Sequence, residues 1–286
     1  MELTNLGVIK ELLARHNFRF SKSLGQNFLT NPQIPEQIAA LAGDDQTSVL
    51  EIGPGMGTLT VKLAQAAKQV LCVELDETLK PVLAETLAPH KNVSVVYRDF
   101  LKTDIPELLA TLPEGRVNAC ANLPYYITSP VLAKLIESRA FGRITVMVQK
   151  EVADRICAAP GTADYSAFTV FVNYHCSPQK ALFVPRGCFV PSPRVDSAVV
   201  VLDTRPAPPA VIEDEQLFFK VVKAAFAQRR KILLNGLFQA FGTKYDKPAL
   251  TSILEQCNIP PTVRGETLGI PEFASIANTM RRLEQN

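Results

Sequence analysis

The segment 121–130 reads ANLPYYITSP and directly follows an apolar run. It places a side-chain amide, Asn122, just before Pro124 and the two tyrosines Tyr125 and Tyr126. Amide and carbonyl oxygens accept hydrogen bonds, proline stiffens a turn by fixing φ, and aromatic rings stack on planar ligands. The segment carries no strong acid or base. It is either an ordinary proline turn or a site that orients a ligand by hydrogen bonding and stacking.

A glycine-rich turn, VLEIGPGMGTLT, joins a predicted strand to a predicted helix. Gly53, Gly55 and Gly57 allow the backbone to turn tightly beside a ligand, and the helix that follows offers free N–H groups at its start. Glu74 ends the next predicted strand about twenty residues on, where an acid can accept hydrogen bonds from ribose hydroxyls. Asp99 follows the third predicted strand in VVYRDF. Parallel strands end at one edge of a sheet, so we expect these groups to meet there.

Two kinds of ligand fit a glycine turn of this type. A dinucleotide fingerprint, G-x-G-x-x-G, requires a third glycine where this chain has Thr58. The spacing E-x-G-x-G-x-G, which begins at Glu51, instead resembles motif I of S-adenosylmethionine-dependent methyltransferases. In that family the position of Asp99 holds the exocyclic amine of the cofactor's adenine. The resemblance favours S-adenosylmethionine over a dinucleotide.

The elements that must position these residues alternate between strands and helices from residue 48 onward. Strands are predicted at SVLEIG, QVLCVE, NVSVVY, RVNACAN and RITVMVQK, and helices at GTLTVKLAQAA, ETLKPVLAETLA and SPVLAKLIES. This alternation predicts an α/β fold with a doubly wound, mostly parallel, Rossmann-like sheet. The later runs FTVFVNYHC, KALFV and VDSAVVVLD are predicted to be antiparallel strands that complete the sheet.

The C-terminal part of the sequence changes character. TRPAPPAVIEDE is typical of a linker, and the segments beyond it have helical periodicity. The basic run QRRK, residues 228–231, lies inside that helical pattern. We therefore predict an N-terminal basic arm at 1–30, an α/β domain at 31–206 and a small α-helical domain at 207–286.

Composition excludes several classes of protein. The chain has 286 residues, of which 47% are hydrophobic, but no apolar run approaches the roughly 20 residues of a membrane span. The N-terminus lacks the apolar core of a secretory signal. Six scattered cysteines without a CxxC pair predict buried reduced thiols in a cytosolic protein, and three isolated histidines argue against zinc. The net charge of +2 identifies no partner.

The position of ANLPYYITSP after the fourth predicted strand makes a functional reading possible. There it resembles the D/N/S-P-P-Y/F/W signature of amino-methyltransferases, in the form N-L-P-Y. The exocyclic nitrogen of adenine is a poor nucleophile because its lone pair is delocalised into the ring. The Asn122 side-chain oxygen and the Leu123 carbonyl can accept its two N–H bonds and so aim the lone pair at a methyl donor. Tyr125 can stack on the base, and Pro124 stiffens the turn.

The combination of motifs resembles one family across nearly the whole chain. Its segments are KSLGQNFL, LEIGPGMGTLT, ANLPYYITSPVL, VMVQKEVADRI, FVPSPRVDSAVV, FFKVVKAAFAQRRKILLNGL and VRGETLGIPEFASIAN. Together they are similar to the small-subunit (16S) ribosomal RNA adenine-N6,N6-dimethyltransferases. The resemblance implies dimethylation of two adjacent adenosines in the 3′-terminal hairpin loop of 16S rRNA, within an immature small subunit. It also implies an S-adenosylmethionine cofactor, a cytoplasmic location and a monomer.

The resemblance also implies roles for individual residues. The positions implied for the cofactor are Asn27, Leu29, Gly53, Gly55, Glu74, Leu75, Asp99, Phe100 and Asn122. The positions implied for catalysis are Asn122, Leu123, Pro124, Tyr125 and Phe189, the last as a second aromatic ring facing the target base or else as a core side chain. The positions expected to contact RNA phosphates are Lys22, Arg229, Arg230 and Lys231. The N-terminal arm is thus expected to contribute to the cofactor site through Asn27 and Leu29 and to the RNA site through Lys22. The helical domain is expected to bind RNA through Arg229, Arg230 and Lys231.

Two further positions carry weaker expectations. Tyr126 is expected to pack structurally and to take no part in the reaction. Ser166, in DYSAF, stands where the family often has glycine, so the local turn is expected to differ there without changing the chemistry.

Three alternatives remain open at this stage. The 23S rRNA adenine methyltransferases of macrolide resistance share the catalytic turn and the fold, and the C-terminal motifs argue against them. A non-catalytic ribosome-assembly or transcription factor on the same fold would show eroded motifs, whereas every motif is intact here. An NAD-dependent oxidoreductase conflicts with the glycine spacing.

Overall fold

A computed structural model describes residues 1–18 and 27–285. The chain divides into two compact units. The first comprises Met1–Ala153 and Pro178–Thr204, and the second comprises Asp154–Ser177 and Arg205–Asn286.

The described residues form nine strands and twelve α-helices. The strands are β1 (Phe28–Leu29), β2 (Ser48–Ile52), β3 (Gln69–Glu74), β4 (Val93–Tyr97), β5 (Val117–Asn122), β6 (Arg143–Gln149), β7 (Cys176–Val184), β8 (Phe189–Val190) and β9 (Ser197–Thr204). The helices are α1 (Leu6–Arg15), α2 (Gln33–Ala42), α3 (Thr58–Ala66), α4 (Lys80–Leu87), α5 (Ile105–Leu109), α6 (Thr128–Glu137), α7 (Lys150–Ile156), α8 (Ala167–His175), α9 (Glu215–Ala227), α10 (Leu233–Phe241), α11 (Lys247–Gln256) and α12 (Ile270–Gln285).

The first unit is built on a seven-stranded sheet in the order β4-β3-β2-β5-β6-β9-β7. Strands β2 to β6 run parallel, and β9 pairs antiparallel with β6. β2 pairs with β3 on one side and with β5 on the other, so the strand order reverses there. Ligands bind beyond the carboxyl ends of the strands at such a switch point. The predicted Rossmann-like, mostly parallel sheet is confirmed.

The parallel strands β2, β3, β5 and β6 are mostly buried because helices cover both faces of the sheet, whereas the edge strand β4 is not. Every residue of β2 is buried, as expected for a strand without a solvent-facing side. On one face, α2 and α3 contribute Ile38 and Leu63, which pack in one core with Val70 of β3. This packing fixes where each strand ends, and so where the side chains that follow it project.

The N-terminal segment is part of the first unit. Asn5 caps α1, because its side-chain oxygen accepts a hydrogen bond of 2.8 Å from the Gly7 N–H. Ile9 and Leu12 of α1 are buried in a core that also contains Leu83 of α4. A second, two-stranded sheet follows, in which β1 pairs antiparallel with β8. Helix α1 is thus tied to the sheet domain by packing, and strand β1 by backbone pairing.

The prediction of a strand at FTVFVNYHC is wrong, because these residues belong to α8. The helix starts with a capping box. Ser166 Oγ accepts a hydrogen bond of 3.3 Å from the Thr169 N–H, and Thr169 Oγ1 accepts one of 3.1 Å from the Ser166 N–H. Val170 and Tyr174, four residues apart, then lie buried in the core of the second unit. The cap and this core outweigh the strand preference of the β-branched residues, and residues 154–177 join the second unit instead of the predicted range 31–206.

The second unit is helical and has its own core, centred on Phe218, Leu237, Ile253 and Phe273. Its first two C-terminal helices, α9 and α10, pack closely. A Cβ on Gly236 would lie 2.3 Å from the Ala224 carbonyl oxygen.

The prediction that QRRK lies within a helix is wrong. α9 ends at Ala227, and residues 228–231 form a turn before α10. The turn is closed by a hydrogen bond of 2.8 Å from the Lys231 N–H to the Gln228 carbonyl. The chain must reverse here, because α10 packs back on α9. The basic residues therefore stand on a turn and not on a helix face.

None of the six cysteines, all of which lie among the described residues, forms a disulfide. Cys72, Cys120 and Cys176 are buried, and the other three are half-buried. No helix in the described part of the chain is long and apolar enough to cross a membrane.

Candidate active site

A cavity opens at the carboxyl edge of the parallel strands, within the first unit. It is lined by residues that follow β2, β3, β4 and β5, and by β1 and Phe189. All thirteen residues predicted for cofactor binding or catalysis line it. They are Asn27, Leu29, Gly53, Gly55, Glu74, Leu75, Asp99, Phe100, Asn122, Leu123, Pro124, Tyr125 and Phe189.

The glycine turn and Glu74 form one side of this cavity. Gly53 and Gly55 have φ values of +70° and +58°, a region that favours glycine. The Glu74 carboxylate accepts hydrogen bonds from the Gly55 N–H at 3.2 Å and the Asp76 N–H at 2.8 Å. Burial raises the pKa of Glu74, and these two backbone donors oppose part of the rise. The carboxylate is thus held in place with lone pairs still able to accept from hydroxyl groups.

Directly beneath the turn lies a second buried acid, Glu51 of β2. It is 1% exposed, and the Cys72 thiol donates to its carboxyl group at 3.4 Å. Burial raises the pKa of Glu51 to about 7, and the nearby charge of Glu74 adds to the rise. Unlike Glu74, this carboxyl group has a thiol in place of backbone donors.

Asp99 is held by the short 3₁₀ turn that follows it. Its Oδ1 accepts a hydrogen bond of 3.0 Å from the Leu101 N–H. Lys134 of α6 holds this 3₁₀ turn, because its ammonium donates to the carbonyls of Leu101 at 2.8 Å and Thr103 at 2.5 Å. Phe100 is buried beneath it, and the Lys134 Nζ lies 5.6 Å from the centre of its ring. Sequence reasoning did not identify Lys134, which shows only as one polar residue in an amphipathic helix.

The N-L-P-Y turn forms the opposite side of the cavity. The Leu123 N–H donates to the Met147 carbonyl at 3.2 Å, and the Pro124 carbonyl accepts from the Ile127 N–H, also at 3.2 Å. Both bonds anchor the turn to the sheet and to the start of α6. Within the part of the chain that the structure describes, the Asn122 carboxamide has no hydrogen-bond partner. This amide therefore lines the cavity with its acceptor open.

Tyr125 is fixed by a residue that sequence reasoning missed. Its phenol oxygen lies 3.0 Å from Ser197 Oγ, at the start of β9. Ser197 is 1% exposed, and burial raises the pKa of the Tyr125 phenol. The two residues are 72 positions apart, and only the register of β9 beside β6 brings them together. No local pattern in the sequence signals this contact.

The expectation that Tyr126 packs structurally is wrong. Its side chain is 57% exposed and lines the cavity beside Tyr125. The two tyrosines share one 3₁₀ turn, Tyr125–Ile127, in which consecutive side chains point in different directions.

Phe189 lies in the cavity wall and is also 3% exposed. It pairs with Leu29 in the two-stranded sheet of β1 and β8, and the Thr30 N–H donates to the Cys188 carbonyl at 2.8 Å. The backbone of this loop is therefore anchored to the segment that carries Asn27. The Phe189 side chain is therefore part of the core and also part of the cavity wall.

Three of the predicted RNA-contacting residues, Arg229, Arg230 and Lys231, belong to the second unit and do not line this cavity. The fourth, Lys22, lies outside the described residues. Arg229 is half-buried, pairs with Glu266 at 3.1 Å and donates to the Ala163 carbonyl at 2.8 Å. Arg230 and Lys231 are exposed. Among the described residues, no group of three or more His, Cys, Asp or Glu side chains is arranged to hold a metal ion.

Comparison with known proteins identifies the family. Residues 17–275 match the family described as ribosomal RNA adenine dimethylase. The chain is 46% identical to the ribosomal RNA small subunit methyltransferase A of Streptococcus pneumoniae, over 98% of this chain and 99% of that protein.

Two solved structures extend the likeness to the whole fold. A dimethyladenosine transferase from Plasmodium falciparum has a TM-score of 0.74 and 27% identity, covering 89% of this chain and 97% of that one. The 23S rRNA methyltransferase ErmE has a TM-score of 0.68 and 26% identity, covering 89% of this chain and 99% of that one. These matches confirm the resemblance found in the motifs, and the chain belongs to the ribosomal RNA adenine dimethylase family.

Proposed function

We propose that this protein transfers methyl groups from S-adenosylmethionine to the N6 atoms of two adjacent adenosines in the 3′-terminal hairpin loop of 16S rRNA. The observation that carries the proposal is the open Asn122 carboxamide on an anchored N-L-P-Y turn, facing a cavity with a glycine turn and two acids at strand ends. The small-subunit substrate is taken from the relative that is 46% identical over nearly its full length.

The cavity residues fit S-adenosylmethionine by the chemistry of their donors and acceptors. Glu74 can accept hydrogen bonds from ribose hydroxyls, because only part of its accepting capacity is used by Gly55 and Asp76. Asp99 can accept from the adenine amine, since its Oδ2 has only a loose contact of 3.6 Å with Lys102. Leu29 and Phe100 are buried in the wall and offer apolar surface.

The remaining cofactor positions complete this assignment. Asn27, Gly53, Gly55 and Leu75 all border the same space. When bound, S-adenosylmethionine supplies an electrophilic methyl group on a sulfonium centre.

The protein's own part in the reaction is orientation. In the first transfer, Asn122 Oδ1 and the Leu123 carbonyl accept the two N6–H bonds of the target adenine, and in the second transfer one of them accepts the single N6–H that remains, so the nitrogen lone pair faces the methyl donor. Tyr125, held by Ser197, stacks on one face of the base, and Phe189 borders the other. The nitrogen becomes acidic only after it has been methylated, so a strong base beside Asn122 is not required.

The RNA is held by positive charge on other parts of the chain. We assign Arg230 and Lys231, on the exposed turn between α9 and α10, to phosphate contacts, which position RNA without reading its sequence. Lys22 has the same proposed role. Arg229 supports the turn through Glu266 and contributes charge. The segment 1–30 would then serve both sites, the first unit would be the methyltransferase domain, and the second unit, which contains 207–286, would be the RNA-binding domain.

The setting proposed for the reaction is an immature small ribosomal subunit in the cytoplasm, with the protein acting as a monomer and without a metal ion. Recognition rests on the shape of the loop and its splayed bases, because the deep groove of an RNA helix is poorly readable.

Methyl transfer from labelled S-adenosylmethionine to unmethylated small subunits, with large subunits as the control, tests the proposal. Modified bases are mapped by mass spectrometry. We expect N6,N6-dimethyladenosine at both loop adenosines and no label in large subunits. Label in 23S rRNA would replace the proposal with the resistance-type activity, for which the ErmE likeness is the precedent. Tight binding to small subunits without transfer would leave an assembly factor.

A further inference from the structure

The two adjacent tyrosines of the N-L-P-Y-Y turn differ sharply in how the protein holds them. Tyr125 is half-buried, with its phenol 3.0 Å from Ser197 Oγ. Tyr126 is 57% exposed, and among the described residues its side chain has no hydrogen bond and no aromatic partner. An aromatic ring left in water at the edge of a reaction cavity keeps apolar area available for a ligand.

We propose that Tyr126 is the stacking site for the nucleobase next to the target adenosine. The inference rests on the proposed function, in which the substrate contains two neighbouring adenosines. When one base is extruded into the cavity, its neighbour loses a stacking partner, at an unstacking cost of a few kcal/mol. A ring beside the cavity mouth can replace that partner.

The backbone of Tyr126 is rigid enough for this purpose. The turn is closed by the bond from the Ile127 N–H to the Pro124 carbonyl at 3.2 Å, and Thr128 Oγ1 donates to the same carbonyl at 3.2 Å. Tyr126 is therefore fixed in the main chain while its ring stays exposed. Little conformational freedom of the backbone is lost when a base stacks on it.

The chemistry of the ring itself suits a nucleobase. Tyr126 is 57% exposed and lines the cavity. An exposed aromatic ring favours a flat, weakly hydrated ligand such as a base over a phosphate group. Stacking on an aromatic ring tolerates any base, so Tyr126 adds affinity, while Asn122 on the target side selects adenine.

The chain offers a matched control. Phe183 of β7 is 54% exposed, almost the same fraction as Tyr126, and lies outside the lining of the cavity. Replacing either ring by alanine removes an exposed aromatic of similar size from the first unit. A general effect of lost apolar surface would appear in both variants, and a stacking role only in one.

The test compares Tyr126→Ala, Tyr126→Phe, Tyr126→Leu and Phe183→Ala in methylation of unmethylated small subunits. We expect Tyr126→Ala to lower kcat/KM for the subunit by about tenfold to a hundredfold, the range of one lost base stack. The Kd for S-adenosylmethionine should stay at the wild-type value. Tyr126→Phe should restore most of the loss and Tyr126→Leu should not, because stacking needs the ring and not the hydroxyl group.

A spectroscopic measurement reports the contact itself. Small subunits reconstituted with 2-aminopurine at one of the two loop adenosines give a fluorescent probe, whose emission is quenched when the base stacks. With the probe at the adenosine next to the target, we expect low emission when wild-type protein, Tyr126→Phe or Phe183→Ala is bound. Emission should be higher when Tyr126→Ala is bound, because the probe has then lost its neighbour and gains no ring in its place.

Three outcomes would overturn the inference. They are equal losses in Tyr126→Ala and Phe183→Ala, full activity in Tyr126→Leu, or the same bound-state emission with Tyr126→Ala as with wild-type protein. Absence of dimethyladenosine with the wild-type protein would instead reject the proposed function, and the emission change would still decide whether Tyr126 stacks on the bound loop.

Discussion

The two sides of the cavity are prepared in opposite ways. On the cofactor side, each predicted acid already accepts hydrogen bonds from the backbone: Glu74 from Gly55 and Asp76, and Asp99 from Leu101. On the acceptor side, the Asn122 carboxamide has no partner within the described residues, although the turn that carries it is anchored to β6.

This difference follows from the cost of leaving each group unpaired. The charged form of a buried carboxylate without donors is destabilised, and the fold offsets this for Glu74 with two backbone N–H groups before any ligand arrives. A neutral amide in a half-buried position costs far less, and its oxygen must stay open in order to accept from the substrate. The Glu74 and Asp99 carboxylates therefore already have hydrogen-bond donors, whereas the Asn122 amide oxygen, which directs the chemistry, is left open to accept.

The largest expected effect comes from removing that open acceptor. Asn122→Ala should lower kcat by about 10²–10³, as for the loss of one preorganised group in a transition state. Affinities for RNA and for S-adenosylmethionine should remain within about twofold, since orientation and not binding is lost. Single-turnover transfer and equilibrium binding measured on the same preparations check this, and equal loss of transfer and RNA affinity would contradict the assigned role.

Glu51 tests how far the cofactor side depends on backbone donors, because it lacks them. Its pKa rises from 4.5 to about 7 on folding. The folded state therefore holds the proton more tightly than the unfolded state, so stability is full below the unfolded pKa and is lost as pH rises through the folded pKa. Glu51→Gln removes this loss. As pH rises from about 4 to about 8, the free energy of unfolding of the variant should therefore increase by about 3 kcal/mol relative to that of wild type. Denaturant unfolding of both proteins at several pH values measures this difference. If the two free energies of unfolding changed in parallel with pH, the prediction would be refuted.

Glu74 represents the acids that already have hydrogen-bond donors. Glu74→Ala should weaken S-adenosylmethionine binding by about 1–3 kcal/mol, the worth of hydrogen bonds to a charged group. Glu77→Ala is the matched control, because Glu77 is exposed and only three residues away. Calorimetric titration gives both affinities. An unchanged affinity in Glu74→Ala would place the ribose contact elsewhere.

The smallest effect is expected from losing the hydrogen bond between Ser197 and Tyr125, which supports the acceptor side of the cavity. Ser197→Ala should lower kcat/KM for the subunit about fivefold, which corresponds to one neutral hydrogen bond of about 1 kcal/mol. Tyr125→Phe removes the same bond, so the double variant should lose no more than either single variant. Additive losses would mean that Ser197 acts on something other than the Tyr125 phenol.

The residues that sequence predicted well are those placed by strand ends. Glu74, Asp99 and Asn122 each end or follow a parallel strand, and parallel strands bring their carboxyl ends to one edge whatever the details of packing. The short glycine and proline turns beside them depend only on local backbone chemistry. This is why the predicted cofactor and catalytic positions all border one cavity, whose lining also includes residues that were not predicted.

The residues that sequence missed depend on long-range register. Ser197 reaches Tyr125 only because β9 runs antiparallel to β6, with Ser197 opposite Gln149. Lys134 becomes informative only when α6 lies beside the Asp99 turn. The run FTVFVNYHC misled because its alternation of apolar residues resembles a strand, while the cap at Ser166 decides for a helix.

The most direct test of the account compares Asn122→Asp with Asn122→Ala in single-turnover methyl transfer on bound small subunits. A carboxylate keeps the accepting oxygen but loses the amide's donor. If the open acceptor directs the adenine nitrogen, Asn122→Asp should keep at least about a tenth of the wild-type rate, while Asn122→Ala falls about 10²–10³-fold. Equal inactivity of the two variants, with RNA binding intact, would contradict the claim that Asn122 works by accepting a hydrogen bond.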